Sequence, residues 1–302
     1  MTSRAIPPDT RNLDLMLLGA DARREGVVSV RDGRSLGFAE WGDPNGHPVV
    51  AFHGGPGSRA MTLGCEEHAD QLGLRIVCLE RPGFGLSDPA PERSLIGWAN
   101  DVADATHALD APEFAVVGVS AGAPYALACG AQLAVQVRRV GVIGGLAPPQ
   151  VRSDDPFVEL LSRDRVAAEA AAREHFEGMA ADVPASVRAM ATRPGPDQAV
   201  YARPDVQARF ERTRREAFRN GVDGAVLDLL LVNTPWGFEL RDIAVPTRWW
   251  HGSLDPIAPL STVRAATSDV PDCELTVYED EGHAIGFTHG VEILRALGSR
   301  VT

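Results

Sequence analysis

The chain has 302 residues, with 29 basic side chains against 41 acidic ones and a formal net charge of -12. Every basic residue is Arg, and without Lys a Schiff-base lysine enzyme or an ordinary P-loop nucleotidase is excluded. So acidic a chain, its Arg scattered, is no general nucleic-acid binder, and 44% hydrophobic with 23% charged residues is ordinary globular composition.

Residues 1–24 carry Arg11, Asp14 and Asp21 among their apolar side chains and no apolar core before a small-residue cleavage site. That is unlike a secretory signal, and the cytoplasm is the expected compartment. No stretch of 18 or more apolar residues occurs, so no membrane span is expected. For residues 12–18 three readings stay open: packing on the body, reaching a neighbour, or staying mobile. The four Cys, at 65, 78, 129 and 273, have no C-x-x-C spacing and read as reduced, buried thiols.

From residue 26 the chain alternates short apolar runs with helical patterns. Strands are predicted at 26–31 and 36–41, joined as a hairpin by Asp32-Gly33. Asp43-Pro44-Asn45-Gly46 is a turn, and 48–52 is a strand running into His53-Gly54-Gly55-Pro56-Gly57-Ser58. A helix is expected after it, up to Leu72. A strand at 74–79 is broken by Arg81-Pro82-Gly83-Phe84-Gly85. Ser94 caps a helix whose apolar positions Leu95, Trp98, Val102, Ala105 and Leu109 recur at helical spacing. Residues 114–119 form a nearly continuous apolar run, the mark of a strand buried on both faces. A helix at 121–133 and a strand at 137–143 follow. From 147 to about 240 no strand is predicted, only helical stretches broken by prolines. Strands return at 247–250 and 274–278, with helices near 259–267 and 285–297. An α/β body interrupted by a helical insertion of about ninety residues, well beyond loop length, is the expected organisation. The expected divisions are 1–146, 147–240 and 241–302.

Gly118-Val119-Ser120-Ala121-Gly122 fits G-x-S-x-G and lies between a buried strand and a helix, where a nucleophile elbow is built. The turn is so tight that a Cβ at Gly118 or Gly122 would meet neighbouring backbone. Ser120 is the candidate nucleophile. The Gly-rich turn after the third strand supplies fixed N–H donors for an oxyanion, and Gly55 and Ala121 are the candidate donors. A serine needs a base oriented by a third group. His283, in Asp280-Glu281-Gly282-His283, is the candidate base. Asp255, in Gly252-Ser253-Leu254-Asp255-Pro256, is the candidate acid, with Asp242 and Asp228 as rivals. Parallel strands deliver their C-terminal ends to one edge, so Ser120, Asp255 and His283 can converge. His53 and His251 read as loop braces, and His289 falls in or beside the last helix. Trp236, with Leu229 to Val232, is a candidate for lining a substrate pocket, though these could equally be core.

These motifs together resemble the α/β-hydrolase superfamily, along nearly the whole chain: His53-Gly54-Gly55-Pro56-Gly57, Arg81 to Ser87, Gly118 to Gly122, Gly252 to Asp255, and Gly282-His283. The resemblance implies a mostly parallel eight-stranded sheet flanked by helices, with a helical cap inserted after the sixth strand. It implies a Ser120-His283-Asp255 triad, acyl transfer to water through an acyl-enzyme, and no cofactor or metal. The expected partner is a small-molecule ester, and the protein is expected as a monomer or homodimer. The His-Gly-Gly-Pro-Gly segment is similar to that of proline iminopeptidases. Ala121 stands where those enzymes have Trp, however, and Glu80-Arg81-Pro82 stands where they have Asp-Gln-Arg. Glu174 and Glu177 could hold a substrate amine, but exposed helical Glu is usually solvated. Haloalkane dehalogenases and epoxide hydrolases have an Asp nucleophile, which Ser120 excludes. An aminopeptidase, a carbon–carbon bond hydrolase and a non-turnover ligand-binding protein stay as alternatives.

Overall fold

The computed structural model describes residues 22–298 except 61, 62 and 64. The 12–18 stretch lies outside the described residues.

β1 (Arg24–Ser29) and β2 (Ser35–Gly42) pair antiparallel around the Asp32-Gly33 turn, where Gly33 takes a φ of 88°. β3 (His47–Phe52) and β4 (Leu74–Leu79) follow, then α1 (Leu95–Ala108), β5 (Phe114–Val119), α2 (Ala123–Gln132) and β6 (Val137–Ile143). Ser94 caps α1 by accepting the Gly97 N–H at 3.0 Å. Between β6 and β7 (Thr247–Gly252) the described residues hold helices and no strand. These are α3 (Pro156–Arg163), α4 (Arg165–Ala181), α5 (Val183–Thr192), α6 (Gln198–Tyr201), α7 (Pro204–Ala217) and α8 (Asp223–Val232). Pro156 and Pro204 open α3 and α7 rather than break them, since a first-turn residue needs no N–H partner. α9 (Leu260–Ser268), β8 (Cys273–Tyr278), α10 (Ile285–Thr288) and α11 (Gly290–Gly298) complete the order. No described helix is long and apolar enough to cross a membrane.

The eight strands form one sheet in the order β1-β2-β4-β3-β5-β6-β7-β8, parallel except for the antiparallel β1–β2 and β2–β4 pairs. The insertion after the sixth strand and the eight-stranded sheet are as expected. Side chains of β5 alternate between two cores. Phe114 and Val116 pack with Trp98, Val102, Leu127 and Val263 on one face. Ala115 and Val117 pack with Ile76, Ile293 and Leu297 on the other. That is why the run is apolar throughout rather than alternating. A third core joins Phe84 to Phe176, Val226 and Leu230, seating the helical insertion on the sheet's loops.

Two expected helices take another form. The stretch before Leu72 holds only short 3-10 turns among its described residues, at Glu66–His68 and Asp70–Leu72. Buried Glu66 accepts the Leu63 N–H at 2.6 Å, a local bond that competes with an α-helical turn. The last helix is split at His289, which stacks on Tyr278 with ring centroids 3.7 Å apart. Gly290 then lies against Cys65, where a Cβ would come within 2.5 Å of the sulfur.

The ends of β3 and β5 tolerate no added atom between them. A Cβ on Gly122 would overlap the Phe52 carbonyl. Gly122→Ala is expected to cost about 1–3 kcal/mol by urea denaturation, as overpacked cores do. Gly178, inside α4, has open space around its Cβ position, and Gly178→Ala is expected to stabilise by about 0.5–1 kcal/mol in the same assay.

Candidate active site

Ser120 follows β5 directly and has a φ of 53°. That left-handed backbone costs an ordinary L-residue about 1–2 kcal/mol. The strain is held by the glycines around it. A Cβ on Gly118 would overlap the Gly122 carbonyl, so the chain doubles back there without side chains. A 3-10 turn, Ser120–Gly122, then leads into α2, with Pro124 in its first turn.

β3 is hydrogen-bonded beside β5, with Phe52 opposite Gly118. The turn at 53–57 therefore ends next to the elbow, and a Cβ on Gly55 would lie 3.2 Å from that of Ala121. His53 braces this turn. It is fully buried, its Nε2 accepts the Arg81 N–H at 3.3 Å, and its ring meets Phe84 edge-on at 4.9 Å. Burial, and then the charge of Arg81, hold its pKa well below the usual histidine range, so it stays neutral.

Asp255 and His283 follow the neighbouring strands β7 and β8. His283 Nδ1 donates to Asp255 Oδ2 at 2.7 Å. The other Asp255 oxygen accepts the N–H groups of Ile257 at 2.8 Å and Ala258 at 3.0 Å. Burial raises the Asp255 pKa, but the bond from His283 and these N–H donors outweigh it and leave it lowered. Burial likewise disfavours charge on His283, yet the Asp255 bond and the charges of Asp255 and Asp197 leave its pKa above 6.5. His251 donates from Nε2 to the Ala258 carbonyl at 2.7 Å and so braces the same loop.

The end of β6 links the two halves. Leu146 N–H donates to the Ser120 carbonyl at 3.3 Å, and a Cβ on Gly144 would lie 3.3 Å from His283 Nδ1. Ser120, Gly55 and Ala121 open onto a cavity of about 220 Å³. Its other walls include Leu146, Phe84, Phe157, Phe176, Leu229 and Val232.

The rival carboxylates do other work. Asp242 closes a capping box with Glu239 before β7. Asp228 lies under the cavity, where Arg81 grips it through Nε at 3.0 Å and Nη2 at 2.7 Å. Arg93 reaches it at 3.0 Å, and Tyr125 O–H donates to it at 2.5 Å. Burial alone would raise its pKa, but the two arginines pull it down to about 2. Arg81 in turn donates to the carbonyls of His53 at 2.5 Å and Gly54 at 3.2 Å, which fixes the turn carrying Gly55.

Trp236 does not line the cavity, a correction to its candidacy. It is 5% exposed and packs in the core, its indole N–H on the Val232 carbonyl at 3.2 Å. Glycine at 237, with a φ of 83°, and a tilted contact with Phe238 turn the ring inward. Leu229 and Val232, from the same apolar stretch, do line the cavity. His289 faces Glu281 and Tyr278. Two contributors were not expected from sequence: Arg81 as the anchor of the Gly-rich turn, and Asp197 as a partner of the His283 loop. Among the described residues no group of three or more His, Cys, Asp or Glu is gathered as a metal requires.

A family model described as the alpha/beta hydrolase fold matches residues 47–290. The chain belongs to that family. This α/β-hydrolase is 26% identical over 321 aligned positions to a probable proline iminopeptidase of Streptomyces coelicolor, covering 90% of this chain and 93% of the relative. It is also 26% identical to a non-heme chloroperoxidase of Kitasatospora aureofaciens, over 87% of this chain and 94% of that one. Among solved structures it superposes on an esterase from Thermogutta terrifontis with a TM-score of 0.68 at 21% identity, covering 90% of this chain and 96% of the other. That likeness speaks for the fold.

Asp228 offers a direct test of the buried network. Asp228→Asn leaves two buried arginines short of a counter-charge and is expected to cost about 3–5 kcal/mol in urea denaturation. Its folded pKa lies below its unfolded value, so its contribution is present above the unfolded pKa of 3.8 and lost as pH falls through about 2. The stability gap between wild type and Asp228→Asn should therefore be constant from pH 5 to 7 and shrink in stronger acid.

Proposed function

We propose that this α/β-hydrolase is a serine hydrolase that cleaves small carboxylic esters, without a cofactor. One observation carries the reading: a serine on a strained elbow opens into a mainly apolar cavity at the same sheet edge as a histidine bonded to a buried carboxylate. In this reading Ser120 Oγ attacks the ester carbonyl carbon. His283 takes the hydroxyl proton on Nε2, because Nδ1 is committed to Asp255. Asp255 orients the ring and stabilises the imidazolium. The N–H groups of Gly55 and Ala121 receive the oxyanion. His283 then protonates the departing alkoxide, and water, activated by the same imidazole, releases the acid from Ser120. The helices of 147–240 act as a cap over the reaction.

The cavity's size and charge support the substrate class. About 220 Å³ is below the usual range for drug-sized ligands, which favours a short acyl group. Its acidic neighbours are occupied. Asp155 accepts from Arg152 at 3.1 Å and from the Phe157 N–H at 2.8 Å, and Asp228 serves Arg81, Arg93 and Tyr125. Glu174 and Glu177 are exposed on α4 and do not line the cavity. No carboxylate among the described cavity residues is left over to hold a substrate α-amine. The second reading, an aminopeptidase, draws on the Streptomyces coelicolor relative.

A fluorophosphonate probe should label wild type and not Ser120→Ala; equal labelling sinks the assignment. Against p-nitrophenyl acetate and butyrate, Asp255→Asn is expected to lower kcat by about 10³–10⁴-fold, with Asp242→Asn unchanged. Butyrate should be cleaved faster than decanoate, and prolyl p-nitroanilide hardly at all. Faster turnover of the anilide would favour the aminopeptidase, and a single turnover with retained product a ligand-binding protein. Because the base must be neutral and its pKa is raised, kcat/KM should climb with pH through a midpoint above 6.5.

A further inference from the structure

The loop that carries His283 is gripped from outside the α/β body. Asp197, just before α6 in the helical insertion, is 7% exposed. Its Oδ2 accepts the His283 N–H at 2.8 Å, and its Oδ1 accepts the Ala284 N–H at 2.9 Å. Both oxygens are thus spent on two consecutive backbone donors of one loop. Gly282 makes room for them, because a Cβ there would overlap the Asp197 carboxylate. Its φ is not in the left-handed region, so close approach, not backbone freedom, is what glycine supplies at 282. A second contact runs alongside. Tyr201 of α6 meets Phe210 of α7 at 5.7 Å, and Phe210 meets Phe287 of α10 at 5.8 Å.

We propose that Asp197 is a positioning residue for the base: its carboxylate, delivered by the helical insertion, sets the His283 loop in its working geometry. The proposal rests on the reading of His283 as the base. Asp197 touches no reacting atom and acts only through the backbone of 283 and 284. A misplacement near 1 Å at a reacting group can cost about 100-fold in rate. The seat of the insertion and the competence of the base are then one event. The groups acting on the imidazole are Asp255 and Asp197, which favour its charged form, and His251, whose own charged form burial disfavours. Tyr201, which feels both carboxylates, is held neutral by burial.

Steady-state kinetics on p-nitrophenyl butyrate, with sites counted by fluorophosphonate titration, test this. Asp197→Ala and Gly282→Ala, which attack the same contact from its two sides, should each lower kcat per titrated site by about 10–100-fold with KM moved less than about threefold. Combined, they should lose no more than Asp197→Ala alone, because the second removes a contact already gone. Asp197→Asn, which keeps an acceptor and drops the charge, should recover part of kcat and move the acid limb of kcat/KM to lower pH. Asp182→Ala, which uncaps α5 elsewhere in the insertion, should leave kcat per site unchanged. Wild-type kcat in both single variants overturns the proposal. So do losses that multiply in the double variant, or an equal loss in Asp182→Ala. His283→Ala separates the two readings: if it keeps wild-type turnover, His283 is not the base, whatever Asp197 does.

Discussion

β3 and β5 end so close together that no side chain fits where they meet. Gly122 lies against the carbonyl of Phe52, and Gly118 against the carbonyl of Gly122. That contact decides the rest of the edge. The chain leaving β5 can only fold sharply back, so Ser120 takes a left-handed backbone and presents its side chain at the cavity. The same contact brings the turn at 53–57 alongside Ala121. About 1–2 kcal/mol of local strain is offset by strands that are hydrogen-bonded on both sides and buried on both faces. The switch in strand order, with β3 lying between β4 and β5, is where open α/β sheets gather ligands.

Buried charge holds the loops that the strands release. The dipeptide Glu80-Arg81 faces two ways. Arg81 binds Asp228 of the insertion and the carbonyls of the Gly-rich turn. Glu80 is also fully buried. It receives Arg59 at 2.9 Å and the Leu86 N–H at 2.8 Å, in space that Gly37 and Gly85 leave open. Arg59 continues to Glu216 of α7 at 2.8 Å, and Ser58 N–H to Thr213 at 3.0 Å. Desolvation offsets much of what charges this deep contribute, but each is costly to orphan. They fix which loop faces which helix. The side chains of this segment are built into the scaffold rather than left at the surface.

The strands of the body were legible because burial on both faces leaves mostly apolar runs: 114–119 is apolar throughout, 74–79 is broken only by Arg75 and 137–143 only by Arg138 and Arg139, and they coincide with β5, β4 and β6. The glycines of the elbow were legible because their steric reason is local. Asp255 was harder, since Asp228 and Asp242 offered the same side chain; only register along β7 and β8 brings Asp255 to His283. Trp236 could not be placed from an apolar stretch, because α8 shows apolar side chains both to the cavity and to the core. The short turns at 66–72 and the break at His289 turn on single contacts, the Glu66 carboxylate and the stacked Tyr278 ring, that hydrophobic periodicity does not register. Asp197 stands in a stretch read only as helix broken by prolines, and its partners lie 86 and 87 residues away.

The helical insertion reaches the site at two separate points, and they differ in kind. Through α8 it supplies cavity wall, with Leu229 and Val232 beside Ser120 and Asp228 beneath. Through Asp197 it supplies backbone support to the His283 loop on the far side of β6. A lid that only covered a site could slide or vary without consequence for the residues below. Here the wall on one side and the loop on the other are tied to one helical unit by buried polar contacts, each lost in full if the unit shifts by about a hydrogen-bond length. The insertion is therefore a structural member of the site, and changes in its packing act on the space offered to a substrate and on the placement of His283 together.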